Sequence, residues 1–291
     1  NVFIGSNCNL IAPLSIGCGV FIAAGSTVTK DLRDDTFCIA RERETIKEGY
    51  KNLYAQKFEP QPKQYFGTDG IRLEGTKEEF FEIGKKFGEA ISSTKVLKIV
   101  LGRDTRPSGK TIREGILTGI TNAQIFDLGV VSTPCIAFMT KAIGADFGVV
   151  LTASHNPESF NGIKVFDKNG QKLSELHEKE LEQKLQNIDK NYEKNQNYGK
   201  KQSKNIKITK ITPQKYISHI LNHSKKLKDF EVAIDVSGGA SEKLAKAVFE
   251  KLGARVHIIG KSKNHKINDG CGCLHLEHLK QHMKDYGVPI G

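Results

Sequence analysis

Apolar residues recur every six positions at the start of the chain: Ile4, Leu10, Ile16, Ile22 and Val28. Gly5, Gly17, Ala23 and Thr29 follow four of them. Such a period marks a β-helix, in which each unit supplies one short strand and turn, and roughly three units close a coil. Chance alternation of Ile and Gly in a β-rich loop is the rival reading, and five positions in phase weigh against it. So short a solenoid cannot bury its own core, so further coils are expected before it. The period lapses from Asp31 to Gln64. There Arg41–Glu44 and Lys47–Lys57 read as a cap or short helix, and Glu59-Pro60-Gln61-Pro62 as a linker.

From residue 64 the pattern changes to alternating helix and strand periods. Lys77–Ser92 carries Phe80, Phe81, Ile83, Phe87 and Ile91 on one broad helical face. Leu97–Leu101 reads as a buried strand, Thr111–Asn122 as a helix, Gln124–Leu128 as a strand, Thr133–Ile143 as a helix and Phe147–Leu151 as a strand. Glu175–Gln186 reads as a polar, exposed helix. After a Lys/Asn-rich stretch the alternation restarts, with helices over Pro213–Asn222, Ser241–Leu252 and Leu274–Tyr286 and strands over Phe230–Asp235 and Ala254–Ile259. This succession predicts an α/β fold with mixed, mostly parallel sheets between helices. The expected division is a β-helix segment over 1–45, a linker over 46–63, an α/β domain over 64–188, a basic linker over 189–212 and a second α/β unit over 213–291, cut before its next strand.

Charge changes this picture little. The net charge is +11, but seven Lys against two acidic residues between Asp189 and Lys210 lie among Asn and Gln with no aromatic platform. That stretch predicts a solvated segment and no nucleic-acid partner. No apolar run approaches the ~18 residues of a membrane span, and the chain opens without a charged leader. The six cysteines have no CxxC spacing and are expected to be free thiols in a reducing cytoplasm. His275, His278 and His282 share a helix face downstream of Cys271 and Cys273. This spacing matches no common zinc pattern, so a polar face is the favoured reading.

Three loops carry candidate chemistry. Val149-Val150-Leu151-Thr152-Ala153-Ser154-His155-Asn156-Pro157 places Ser154 at the C-terminal end of a strand, where open α/β sheets build their sites. Taken alone it also suits an ordinary turn. No G-x-S-x-G elbow is present, which weighs against a serine hydrolase. Tyr65-Phe66-Gly67-Thr68-Asp69-Gly70-Ile71-Arg72 joins glycines, a hydroxyl, a carboxylate and a guanidinium. Gly102-Arg103-Asp104-Thr105-Arg106-Pro107-Ser108-Gly109 sets two Arg around a carboxylate between a strand and a helix. Glycines admit close backbone N–H approach, and Arg binds phosphate bidentately.

F-G-T-D-G-I-R, R-D-T-R-P-S-G, T-A-S-H-N-P and N-G-I-K (Asn161–Lys164) stand in the order and spacing of the α-D-phosphohexomutase family, which residues 64–291 resemble. Within it the first and third motifs look most like the bacterial phosphoglucosamine mutases. Ile234–Ala240 and Ile267–Gly272 continue the resemblance into the second unit. It implies interconversion of glucosamine 6-phosphate and glucosamine 1-phosphate through phosphorylated Ser154 and a glucosamine bisphosphate intermediate, with Mg²⁺. The catalytic residues implied are Ser154, His155, Lys164, Arg72 and Arg103. Thr68, Asp69, Gly70, Arg106 and Asn156 would bind substrate or phosphate. The magnesium would sit on the Ser154 phosphate and three aspartates expected beyond Gly291, so a chain ending there should be inactive alone. Phosphomannomutase or phosphoglucomutase activity is the sister reading, and a non-catalytic remnant is the reading from another class.

Phe3-Ile4-Gly5-Ser6, Ile22–Asp31 and Ile39-Ala40-Arg41 resemble the C-terminal end of the bifunctional UDP-N-acetylglucosamine pyrophosphorylase/glucosamine-1-phosphate acetyltransferase family. That resemblance maps acetyl-CoA contacts to Ser6, Ala24 and Arg41 and implies trimerisation of a complete parent. Residues 1–154 hold no histidine, so the acetyltransferase's general base is missing. A fusion serving consecutive steps toward UDP-N-acetylglucosamine is the expectation.

Overall fold

The computed structural model describes residues 2–40, 65–67, 69–194, 205–261 and 266–291. The chain divides into two compact units, 1–61 and 62–291. The cap or helix expected within 41–57, the linker over 59–62, Thr68 and Arg41 lie outside the described residues.

In the first unit, two-residue strands stack in parallel. β1 (Phe3–Ile4) pairs with β3 (Phe21–Ile22), three six-residue periods later, and β2 (Asn9–Leu10) pairs with β4 (Thr27–Val28) at the same offset. Val20, Ile22 and Val28 form its buried centre, with Ile16, Leu32 and Cys38 packed against them. Stacking continues beyond Asp31, where the period had been expected to lapse. β5 (Phe37–Cys38) pairs with β3, and Ile16 bridges Leu32. Leu32 and Cys38 keep a six-residue spacing, but out of phase with Val28, which hides it from a fixed-frame reading. The Asp31 carboxylate accepts the Ser15 N–H at 2.7 Å and that of Asp34 accepts Cys18 N–H at 2.7 Å, tying the shifted turn to the one before.

The second unit is built on a seven-stranded sheet. Its strands are β6 (Phe66–Gly67), β7 (Gly70–Glu74), β8 (Leu97–Arg103), β9 (Asn122–Val130), β10 (Phe147–Leu151), β11 (Phe160–Phe166) and β12 (Asn205–Lys210), in spatial order β12-β9-β8-β10-β11-β7-β6. The pairings from β12 to β10 are parallel. Those from β10 through β11 and β7 to β6 are antiparallel.

Side-chain alternation along the central strands fills both faces. Ile99, Leu101, Val149 and Leu151 pack with α1 (Lys77–Ile91), α2 (Ser108–Gly119) and α4 (Glu175–Lys194). Val100 and Val150 pack on the other face with α3 (Thr133–Ile143), α5 (Gln214–Asn222) and α6 (Glu242–Leu252). A smaller parallel pair, β13 (Glu231–Asp235) and β14 (Arg255–Ile259), and α7 (Leu276–Tyr286) complete the unit.

α1 and α2 meet backbone to backbone. A Cβ added at Gly119 would lie 1.9 Å from Lys85 O, and one at Gly115 would lie 2.2 Å from Phe81 O. The reverse side is equally close, with Gly84 against Ile112 O at 2.3 Å. α1 begins with a capping box. Thr76 Oγ1 accepts Glu79 N–H at 3.2 Å, and the Glu79 carboxylate accepts Thr76 N–H at 2.7 Å. Thr76→Ala is expected to cost about 1 kcal/mol. A urea midpoint indistinguishable from that of the parent would show the box to be dispensable.

Two expectations are corrected. α4 runs on past Gln186 to Lys194, and one of its faces is not exposed but buries Leu181, Leu185 and Ile188. The stretch expected as a linker over 189–212 supplies the last turns of α4 and the edge strand β12. Asp189 is held by Lys86 at 2.6 Å and by the Tyr65 hydroxyl. Ile206 packs against the core. High lysine content masked two structured segments because their apolar residues are few and widely spaced.

Candidate active site

The first site loop follows β10. Thr152 N–H donates to Gly162 O at 3.0 Å, which holds the strand end against β11. Ala153 is buried, and Ser154 then emerges exposed with φ +57°. A non-glycine residue in this left-handed region costs about 1–3 kcal/mol, so the surroundings must hold it there. The Ser154 N–H bonds Thr152 Oγ1 at 3.1 Å.

The second loop, after β8, supplies most of the restraint. Arg106 is fully buried and forms an ion pair with Asp104, whose carboxylate also accepts Arg106 N–H at 3.0 Å. The outer guanidinium nitrogen donates to Ser154 O at 3.3 Å and to Asn156 O. A planar fork suits this task, since one edge engages the carboxylate while the other holds two carbonyls.

Asn268 grips the same two carbonyls from the second α/β part. Its Nδ2 donates to Ser154 O at 3.0 Å and to Asn156 O at 3.0 Å. Asn268 is itself presented with φ +61°, and its N–H donates to Ser237 O at 2.9 Å. The Asp235 carboxylate, at the end of β13, accepts N–H groups from Ser237 and Gly272, each at 2.8 Å, fastening the two loops together. Thr105 Oγ1 donates to Gly238 O at 2.6 Å and adds a second link. Asn268 was not among the expected site residues. Its signal was the run Ile267–Gly272, an Asn-Asp-Gly turn with the residues for left-handed backbone.

The third loop stands on the antiparallel side. Lys164, on β11 opposite Val150, pairs with Asp69. Gly70 has φ +90°, and a Cβ there would lie 2.4 Å from Ile163 O, so only glycine admits this approach. Arg72, opposite Gly162, reaches Asn156 Oδ1 at 3.5 Å. The structure thus gathers Ser154, Asn156, Arg106 and Arg72 in one set of contacts. Asp69, Gly70 and Lys164 form an adjoining set on the same strand pair. His155 is exposed next to Ser154.

Arg103 stands apart. It follows Leu101 by two residues and therefore shares its face, toward α2. Its guanidinium donates to Asp104 O at 2.8 Å and lines a cavity with Lys110, Arg113, Asp127 and Lys210. Burial lowers its pKa against the pull of the Asp104 and Asp127 carboxylates. In the first unit, Ser6 O accepts Gly25 N–H at 2.9 Å, and Ala24 lies against Gly5.

Among the described residues, no group of three His, Cys, Asp or Glu is placed to hold a metal. His278 lies 3.5 Å from Asp235, and His282 lies 3.4 Å from His257. No helix among the described residues is long and apolar enough to cross a membrane.

Residues 63–192 match the family model for phosphoglucomutase/phosphomannomutase, alpha/beta/alpha domain I. Phosphoglucosamine mutase of Clostridioides difficile is 34% identical over 79% of this chain and 52% of its own length. That of Clostridium tetani is 37% identical over 78% of this chain and 52% of its own length. The chain therefore spans about half the length of the curated relatives it matches. A solved Thermus thermophilus protein described as a phosphomannomutase shares the fold, with a TM-score of 0.51 and 20% identity over 67% of this chain and 45% of that one. Residues 63–192 are thus similar to the first α/β/α domain of the phosphoglucomutase/phosphomannomutase family, and the chain is similar over most of its length to curated phosphoglucosamine mutases.

Proposed function

We propose that the chain carries the phosphoserine half of a phosphoglucosamine mutase, interconverting glucosamine 6-phosphate and glucosamine 1-phosphate on the way to UDP-N-acetylglucosamine. The observation that carries this reading is Ser154. It is exposed and left-handed, with its carbonyl tied back by both Arg106 and Asn268, so the hydroxyl is offered outward from a fixed backbone.

In the forward step the phosphoserine P–O bond breaks, and the phosphoryl group passes to the free hydroxyl oxygen of the sugar phosphate. That hydroxyl's proton goes to a neighbouring base, the departing Ser154 oxygen takes one up, and a bisphosphate results. After the bisphosphate turns over, the Ser154 hydroxyl gives up its proton as its oxygen takes back the other phosphoryl group, and the sugar oxygen that loses this phosphate gains a proton. His155 and Lys164 are the groups this chain offers for those protons. Arg72 supplies positive charge around phosphate oxygens as charge spreads in the transition state, while Arg106, buried and paired with Asp104, holds the Ser154 loop in place. An unphosphorylated Ser154 is an unactivated alcohol, so priming must come first.

Magnesium would neutralise charge on the transferring group. The described residues do not fit such a site on their own, because no three His, Cys, Asp or Glu among them converge and the nearby Asp104 carboxylate is engaged by Arg106; a phosphate on Ser154 would be the ligand this loop contributes. For residues 2–40 the parallel six-residue stacking supports the reading of a β-helix segment of acetyltransferase type. Ser6 and Ala24 are its candidate acetyl-CoA contacts.

The test is phosphoryl capture. Incubation with glucosamine 1,6-bisphosphate labelled in phosphorus should place phosphate on Ser154, located by peptide mass spectrometry, and Ser154→Ala should abolish it. Absence of label on Ser154 in the folded chain would sink the reading. Faster priming by mannose or glucose bisphosphate would redirect it to the sister mutases.

A further inference from the structure

We propose that the cavity beneath α2 is an anion site for a phosphorylated small molecule, separate from the Ser154 loop. It is an open cleft of about 390 Å³ lined by Arg103, Lys110, Arg113, Lys210, Asp127 and Gly129 and by the buried Leu101 and Leu151. Four cationic residues thus line it with one carboxylate residue. That carboxylate is already engaged: Asp127 accepts Arg113 Nε at 3.0 Å and its outer nitrogen at 2.8 Å, and also Gly129 N–H at 2.8 Å. Arg113 is therefore neutralised locally, while Arg103, Lys110 and Lys210 remain as excess charge. Among the described residues neither Lys110 nor Lys210 has an ion-pair partner.

Three elements bring these charges together. Arg103 ends β8, Lys110 and Arg113 lie on the first turns of α2, and Lys210 ends the edge strand β12. Like charges repel, and four cationic residues around one carboxylate leave an excess of positive charge that a bound anion would neutralise. The Arg103 guanidinium is half-buried, and burial together with Arg113 disfavours its charged form. A bound anion would reverse that effect. The volume exceeds what inorganic phosphate fills and falls within the ~300–1,000 Å³ of small-molecule sites. Leu101 and Leu151 add an apolar floor, so the fitting class is a phosphate monoester or diphosphate bearing an organic group. None of Ser154, His155, Asn156, Arg106 or Arg72 lines this cavity. The inference therefore stands whether or not the mutase reading does.

Titration of the ¹⁵N-labelled chain with inorganic pyrophosphate tests it. Saturable, salt-sensitive shifts are expected at Gly129, Lys110 and Lys210. In Lys110→Gln/Lys210→Gln, two exposed positions with little structural role, the affinity should fall about tenfold or more. Ser154→Ala should bind as the parent does. Parallel titrations with glucose 6-phosphate and AMP identify the organic group by which binds more tightly than pyrophosphate. Lack of saturation, shifts confined to residues 152–157, or undiminished affinity in the folded double variant would each overturn the proposal.

Discussion

Arg106→Ala is expected to destabilise the second unit by about 3–5 kcal/mol, because it strands the Asp104 carboxylate in a buried position. Asp104 is 5% exposed and Arg106 fully buried. Removing the guanidinium also takes a donor from Ser154 O and Asn156 O, leaving Asn268 alone on both. Two measurements separate these effects. Urea unfolding reads the buried charge, while amide exchange at residues 154–156 reads the loop. Faster exchange there should persist under strongly native conditions. Arg106→Lys should not restore it, since a point charge cannot serve a carboxylate and two carbonyls together. A parent-like midpoint for Arg106→Ala would mean that the buried ion pair adds no stability, and parent-like exchange at residues 154–156 would mean that Arg106 does not hold this loop.

The second large effect is expected between α1 and α2. Gly119→Val inserts a branched side chain where even a Cβ would lie 1.9 Å from the Lys85 carbonyl oxygen. The helices must separate, at a cost of about 1–3 kcal/mol or more from overpacking. Glu114→Ala, on an exposed position of the same helix, is the control for helix propensity. If Gly119→Val and the control unfold together, the close approach of the two helices is not a constraint on stability.

Some of this structure could be read directly from residue spacing. Helix α3 and strand β10 have the bounds their apolar periods indicate, since Pro134 opens the first and Gly144 closes it with φ +67°. The antiparallel half of the sheet was less visible. β11 carries Asn161, fully buried through bonds to Ser108 at 2.8 Å and to its own neighbour Gly162, so a polar residue interrupts the apolar run. α4 looked solvated because Glu178 and Glu182 lie on its buried face. Glu182 is spent accepting the N–H groups of Tyr65 and Phe66, at 3.1 and 2.9 Å.

The site shows the same division. Loop composition marked Gly, Arg and Asp after a strand as candidates for anionic chemistry, and the structure brings the Ser154, Arg106 and Arg72 loops into contact. It did not tell Arg103 from Arg106, which are three residues apart and face different partners. Strand alternation settles Arg103, but only once β8 is known to continue as far as that residue. Nor did local sequence reveal that Asn268 and Arg106 share two acceptors, a relation between positions far apart in the chain.

Strand β12 has a consequence for how this protein can be divided and made. It comes from residues 205–210, after α4, yet it caps the sheet by pairing with β9 from Asn122 to Asp127. A fragment stopped at residue 192, where the matched domain ends, would leave the nine residues of β9 as an open edge. Unpaired edges of this length recruit other chains. During synthesis the same edge stays bare until Lys210 has cleared the ribosome. The workable cut for expressing the first domain alone therefore lies beyond Lys210.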